Sequence, residues 1–296
     1  MLQAIAEAGS FAAAARRLGL VPSALTYRVR QIEDALDVLL FDRSTRQARP
    51  TPAGAELLRE GARLLEDLDA VAHRVRRVAT GWEPQITVAA DGIVSRTTLL
   101  ELAEAFYALN PPTQLKLRDG IMSGTLEALT SGRADLAIGV GAADGQPGLQ
   151  AQAMGEVPFI FVVAPHHPLA STPEPLTDAQ LLQHRAVAVA DSGQRSGMTV
   201  GLLTGQSVLT VDTMQAKIAA QLRGLGFGFL PEPMVRPYLA AGRLVQRRVA
   251  RPERVSRVYY AWGGPSHAQP GRALQWWITQ LASPATRRAL LENHHF

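Results

Sequence analysis

The 296-residue chain contains no cysteine. That absence excludes disulfides, thiolate zinc sites, cysteine nucleophiles and thiol-based redox sensing together. Lysine is nearly missing too, occurring only at Lys116 and Lys217, so almost all of the positive charge is arginine, and the formal net charge is +4. Arginine is the better fork for phosphates and base edges, but the same bias can reflect genome composition. Charge alone therefore assigns no partner. The chain has no apolar run of the roughly 18 residues needed to span a membrane and does not open on a basic region followed by an apolar one. The expectation is a soluble, cytoplasmic protein with no membrane partner. With 47% apolar and 19% charged residues, the composition is globular, and the length calls for two or three folded units.

Three zones follow one another. Short helical patterns broken at Gly19 and Pro22 fill the first 50 residues, and one periodic helix runs from 52 to about 80. From Pro84 onward strand-like runs alternate with helices, with the breaks at "RPTP" and "TGWEP". The middle zone repeats apolar residues every seven positions, with Leu57, Leu64, Val71 and Val78 in one register and Gly61, Leu68 and Val75 in the other. Such a seam calls for a partner helix, and hence for dimerisation. In the third zone "ITVAAD", the helix from Ser95, "TQLKLRD", the helix from Ser123 and "DLAIGV" form one α/β series, and "PFIFVVAP" opens a second. Alternating strands and helices imply parallel pairing. Two such halves suggest a hinged domain with a cleft.

The stretch "SALTYRVRQIE" carries the function. On a helix, Leu25, Val29, Ile32 and Leu36 share a narrow arc while Ser23, Thr26, Tyr27 and Arg30 cluster opposite. Before it, Phe11, Ala14, Ala15 and Leu18 recur at helical spacing, with Ser10 placed to cap the helix and Gly19 to end it. Pro22 suits the first turn of the second helix. Two short helices joined by a tight Gly-containing turn make a helix-turn-helix, whose second helix enters the DNA major groove. Ser23, Thr26, Tyr27 and Arg30 are the candidates for base edges, with Arg30 suited to guanine and Arg28 to phosphate. Beyond it, Arg43, Arg46 and Arg49 recur every third residue in a loop placed as a wing along duplex DNA would be.

Together with "AGSFAAAARRLGLVPSALTYRVRQIEDAL", the segments "LFDRSTRQARPTPAG", "SGRADLAIGV", "HPLA" and "LRGLGFGFLPEP" make the chain resemble the LysR-type transcriptional regulators along nearly its whole length. The resemblance implies an α plus α/β protein. A winged helix-turn-helix would occupy residues 1–51 and a pairing linker helix 52–81. A two-subdomain effector domain similar to periplasmic binding proteins would occupy 84–296, with about 84–160 plus 264–296 in one subdomain and about 161–263 in the other. It implies double-stranded DNA and a small-molecule effector as partners, assembly as a homodimer or homotetramer, and no cofactor. Carried onto this sequence, the recognition positions are Pro22, Ser23, Thr26, Tyr27 and Arg30, with Arg46 in the wing. Three departures stand out: Val21 replaces the usual capping Ser, Asp37 replaces a Gly, and Met1 falls where family sequences are already under way, so the first helix should be short.

An effector is expected at the C-terminal ends of the strands. Ser95 and Ser123 read as helix caps there, with N–H groups free for an anionic or polar ligand group. Asp191 and Ser192 hold the corresponding place in the second half. Ile93, Val94 and Met122 would form apolar walls, and Phe161 and Trp262 lie near the crossover strands, which suits an aromatic effector. Enzyme readings fail. "GVGAADG" has Gly139, Gly141 and Gly145 one residue too widely spaced for a dinucleotide fingerprint, and Pro147 stands where a helix should open. "GQRSG" lacks the spacing of a nucleophile elbow. His166 with His167, and His294 with His295, lack company at metal-ligand spacing. No catalytic or metal residue is expected.

Overall fold

The computed structural model describes residues 1–42, 47–141, 148–193, 201–252, 254–263 and 270–294. The chain divides into two compact units, Met1–Arg74 and Val75–Phe296.

The first unit opens with α1 (Leu2–Ala8), α2 (Phe11–Arg17) and α3 (Pro22–Leu36). Ser10 caps α2, its hydroxyl accepting the Ala13 N–H at 3.2 Å. Gly19 turns the chain at φ 67°, and α3 begins with Pro22 in its first turn and no side-chain cap at Val21, as that residue change dictates. Asp37 takes the left-handed conformation (φ 52°, ψ 37°) expected of a glycine substitute. The antiparallel pair β1 (Phe41–Asp42) and β2 (Arg49–Pro50) follows, and then α4 (Pro52–Thr80), whose 29 residues run about 43 Å. Arg43 and Arg46 lie outside the described residues.

Ile5, Ala14, Ala15, Leu25, Val29, Leu40 and Phe41 form the core, and the Phe11 ring meets Phe41 edge-on at 5.6 Å. Three positions differ from the sequence pattern. Leu36, expected inside, sits in the last turn of α3 and is 50% exposed, while Glu33 is buried. Leu57 packs on this core rather than in the linker seam. The Glu33 carboxylate explains its own burial: Oε1 accepts the N–H of Leu40 at 2.9 Å and of Phe41 at 3.4 Å, which holds the entry into β1. Buried donors left unsatisfied cost about 1–3 kcal/mol. Glu33→Leu should lower stability by that amount and Glu33→Gln, which keeps an acceptor, by less. Denaturant unfolding of the three proteins checks this; equal midpoints would remove Glu33 from the account.

The second unit is built on a seven-stranded mixed sheet. β3 (Gln85–Asp91), α5 (Arg96–Tyr107), β4 (Gln114–Gly120), α6 (Ser123–Thr130) and β5 (Leu136–Val140) make the first series, with β3 parallel to both β4 and β5. The long β6 (Leu149–Val163) leads into the second: α7 (Asp178–Leu182), β7 (Ala186–Val189), β8 (Val208–Val211), α8 (Met214–Leu222), β9 (Gly228–Pro231), α9 (Glu232–Ala240) and β10 (Val245–Gln246). β7 and β8 are parallel, and Ala186 bridges Phe227 just before β9. β11 (Arg254–Gly263) returns antiparallel to β6, and α10 (Arg272–Ala282) and α11 (Pro284–Glu292) close the chain.

β6 and β11 belong to both halves. Residues 149–159 of β6 pair with β11, while Phe159–Val162 pair with β9 and Val162–Val163 with β10. The sequence reading placed all of β11 in the second subdomain. Its Tyr259–Trp262 segment pairs instead with β5, so the division cuts through both strands. Register slips where Val258 faces Gly155 and Tyr259 faces Ala153, leaving Met154 as an extra residue. Such a bulge bends the ribbon as it passes from one half to the other. The apolar core of the unit gathers Val88, Leu99, Phe106, Ile138, Leu230, Tyr260 and Trp277.

Candidate functional site

Two surfaces are candidates. The first is the outer face of α3, where burial of Leu25 and Val29 fixes the helix phase. Pro22, Ser23, Arg28 and Arg30 are exposed, and Tyr27 is 63% exposed. Thr26 is half-buried and its hydroxyl donates to the Pro22 carbonyl at 2.9 Å. Arg49 stands exposed on β2, donating to Gln47 Oε1 at 3.3 Å. The α3 face thus presents a hydroxyl, a phenol and two guanidinium groups to solvent on one rigid helix.

The second candidate lies between the C-terminal ends of β3 and β4 on one side and of β7 on the other. A cavity of about 430 Å³ opens there. Ile93, Met122 and Ser123 line it as anticipated, with Ile121, Leu126, Val189, Met214, Phe159 and Phe229 adding apolar surface. Ser95, Phe161 and Trp262 do not line it. Ser95 is fully buried: its hydroxyl accepts the Thr98 N–H at 3.1 Å and donates to the Asn293 carbonyl at 2.6 Å, tying α5 to the end of α11. Phe161 packs against Phe227 and Phe229 in a separate buried cluster, and Trp262 stacks on Tyr260 in the core. Val94 lines a neighbouring cavity of about 450 Å³, which also takes in Arg96 and Thr213.

Asp191 and Ser192 reach across the cleft and fasten it. Asp191 accepts the Ser123 N–H at 3.1 Å and the Ser123 hydroxyl at 2.7 Å. Ser192 Oγ accepts the Ile121 N–H at 2.9 Å and donates to the Ile121 carbonyl at 3.2 Å. The approach is close enough that a Cβ on Gly124 would fall 2.0 Å from Ser192 Oγ, and one on Gly193 2.1 Å from Ser123 Oγ. Ser123 is therefore the first residue of α6 rather than its cap, and the start of that helix is occupied by a protein carboxylate instead of being free for an anion.

Met122, which precedes α6, adopts φ 51°, a strained conformation for its residue type. Its N–H is held by Asp91 Oδ2 at 2.7 Å, while Asp91 Oδ1 accepts from Ile93 at 3.1 Å. Asp91 is buried, and burial outweighs these hydrogen bonds, pushing its carboxyl up to about 6.

The cations of the cavity escaped the sequence reading. Lys217, on α8, and Arg254, at the start of β11, both line it. The Arg254 guanidinium lies 5.6 Å from the Phe159 ring and 5.8 Å from the Phe229 ring. Burial, and then the neighbouring charge of Arg254, pull the Lys217 ammonium down to about 8. Burial also lowers Arg254, which as a guanidinium stays charged. Neither side chain has an ion-pair or hydrogen-bond partner among the described residues. One signal was available: Lys217 is one of two lysines in the chain.

Two of the histidines singled out in the sequence are bound within the fold. His167 Nδ1 accepts the Leu169 N–H at 3.2 Å, and His294 is buried against the Leu291 carbonyl. His295 lies outside the described residues. No helix among the described residues is long and apolar enough to cross a membrane.

A helix-turn-helix unit joined through a long helix to a cleft-bearing α/β domain defines the class of a DNA-binding regulator with a ligand-sensing domain. Comparison with known families specifies it. Residues 1–55 match the bacterial regulatory helix-turn-helix protein model of the lysR family, and residues 79–284 match the LysR substrate binding domain. The uncharacterized HTH-type transcriptional regulator YeeY of Escherichia coli K12 is 34% identical over 95% of this chain and 91% of its own. The probable HTH-type transcriptional regulator YhaJ of the same organism is 36% identical over 95% and 93%. Full-length CbnR, solved with its target DNA, superposes with a TM-score of 0.64 at 20% identity over 96% of this chain and 97% of that one. The chain belongs to the LysR family of transcriptional regulators.

The raised Asp91 value has a measurable consequence. A carboxyl whose folded value is raised favours the folded state below its unfolded value of 3.8, and this contribution is lost as pH climbs through about 6. Asp91→Asn cannot titrate. The Tm of the variant relative to the parent should therefore rise steadily across that window; a constant difference would show that Asp91 titrates like an exposed aspartate.

Proposed function

We propose that α3 reads the major groove through Ser23, Thr26, Tyr27 and Arg30, with Pro22 setting the helix start, Arg28 on the phosphate backbone and Arg46 in the wing. A small molecule entering the cavity near Met122 and Ser123 then shifts the balance between arrangements of the two halves and so regulates DNA binding. The observation that carries the DNA half is the α3 face. The side chains of Tyr27, Arg28 and Arg30 make no hydrogen bond or ion pair with any described residue, while the opposite face of the same helix is sealed in the core. Phosphate contacts would place the helix and base contacts would specify the sequence. CbnR, similar in fold, was solved on its target DNA, which supports the same mode of use here.

The linker helix fits assembly with a second copy. Leu64, Leu68, Val71, Val75 and Val78 are all exposed along one seam of α4, Val78 at 86%. An apolar stripe with heptad spacing is stable in water once a second helix covers it. A homodimer through α4, or a homotetramer built from two such pairs, fits this surface, and a DNA-regulating role places the protein in the cytoplasm.

Each bidentate base contact discriminates by about 1–3 kcal/mol. Tyr27→Ala combined with Arg30→Ala should therefore reduce sequence-specific affinity at least tenfold while leaving a weak, salt-sensitive residue of non-specific binding. A gel-shift titration on the DNA upstream of the protein's own gene, at fixed salt, checks this. Undiminished specific binding by the double variant would remove α3 from the reading surface.

A further inference from the structure

We infer that the effector is a small organic carboxylate with an apolar body, its charge held between Lys217 and Arg254 and its body against Phe159, Phe229, Met122 and Leu126. The inference rests on the reading of the cleft as the effector site and assigns the chemistry of its ligand.

Three observations carry it. Two cations of the same sign face one cavity, and neither has an anionic partner among the described residues. A desolvated, unpaired charge is costly, and two adjacent ones more so. A protein keeps such an arrangement where a ligand supplies the missing charge. The acidic group that lines the same cavity, Asp91, is not that partner, because its two oxygens already accept the N–H groups of Ile93 and Met122. The start of α6, the other place for an anion, is filled by Asp191. The negative charge of a ligand is thus directed to α8 and β11.

The second observation concerns the lining. Apart from these cations, Asp91, Ser123 and Ser256, the walls are apolar side chains or glycine and alanine. Such walls accept a hydrocarbon or aromatic body and offer few partners to a heavily hydroxylated one. Third, the aromatic faces fix the geometry. Phe159 and Phe229 flank the Arg254 guanidinium, restraining it while leaving its N–H groups free to fork a carboxylate. A cavity of about 430 Å³ fits a ligand of benzoate or hexanoate size.

The test uses the full chain with benzoate and hexanoate as probes, and benzamide and hexanamide as neutral matches, measured by calorimetry and thermal shift. At least one acid should bind, with its amide at least tenfold weaker. Lys217→Met and Arg254→Met should each weaken the acid at least tenfold, and Lys217→Arg should restore most of the affinity. Amides binding as well as acids, or acid binding unchanged in the two Met variants, would overturn the inference. A ligand-free arm decides if no probe binds. Lys217→Glu places a carboxylate beside Arg254 and should raise Tm above that of Lys217→Met, whereas an equal or lower Tm overturns the assignment. Leu126→Trp, which fills the cavity, separates the two readings. Amide binding that Leu126→Trp abolishes and the Met variants leave intact keeps the cleft and discards the carboxylate. Binding of every probe unaffected by Leu126→Trp discards the cleft itself.

Discussion

The ribbon formed by β6 and β11 is the constraint on which the ligand-sensing unit depends. Ten register pairs, from Arg254 opposite Phe159 to Gly263 opposite Leu149, join two strands that neither half owns. At one end Tyr259–Trp262 bind β5 and complete the sheet of the first half. At the other, Phe159–Val162 accept β9 and so start the sheet of the second. A chain that crosses twice between two α/β layers, antiparallel to itself, fixes where the cleft opens. The extra residue at Met154 supplies the bend that such a crossing needs. The same ribbon carries Phe159, Arg254 and Ser256 into the cavity, so that part of the cavity wall sits on the crossing itself.

Around that crossing the protein places costs where a ligand would touch it. Met122 holds a backbone of positive φ, its N–H bound by the buried Asp91 carboxylate. Lys217 and Arg254 face one another's charge in an apolar setting. Strain and desolvated charge persist in folded proteins when the surroundings over-determine them, and they gather at functional sites. The surroundings here are the clasp of Asp191 and Ser192 on the start of α6, where Gly124 and Gly193 let two backbones meet at a distance that any side chain would forbid.

Much of this was legible in the sequence, and what was not has physical causes. The phase of α3 was readable because an amphipathic helix has one buried arc, and Leu25 and Val29 define it. Asp37 in the left-handed conformation was readable because few residue types tolerate it. Glu33 was not, since its burial answers to the N–H groups of Leu40 and Phe41, which only the return of the chain toward β1 brings near. Ser95 and Ser123 were both placed at helix starts by their neighbours. Which of them faces the cleft depends on α11, since the Asn293 carbonyl takes the Ser95 hydroxyl and closes that position. Phe161 and Trp262 were misplaced for a related reason. Residues two apart share one face of a strand, so Phe159 and Phe161 have the same phase; Phe159 lines the cavity while Phe227 and Phe229 cover Phe161, a covering that the local run of apolar residues does not reveal.

The clasp also bears on how a ligand can act. A ligand shifts a conformational balance only by the difference in its interaction with the two states. With the cleft already fastened by Asp191 and Ser192, a ligand gains nothing further from forming those contacts. What the described residues of the cleft do not supply is an opposite charge between Lys217 on α8 and Arg254 on the crossing strand. A carboxylate there would replace repulsion with two attractions and draw α8 toward β11. That term exists only while both cations share one cavity, so it grows with closure and vanishes on opening. On this reading the clasp sets the resting arrangement of the halves, and the paired cations decide how far a bound anion deepens it.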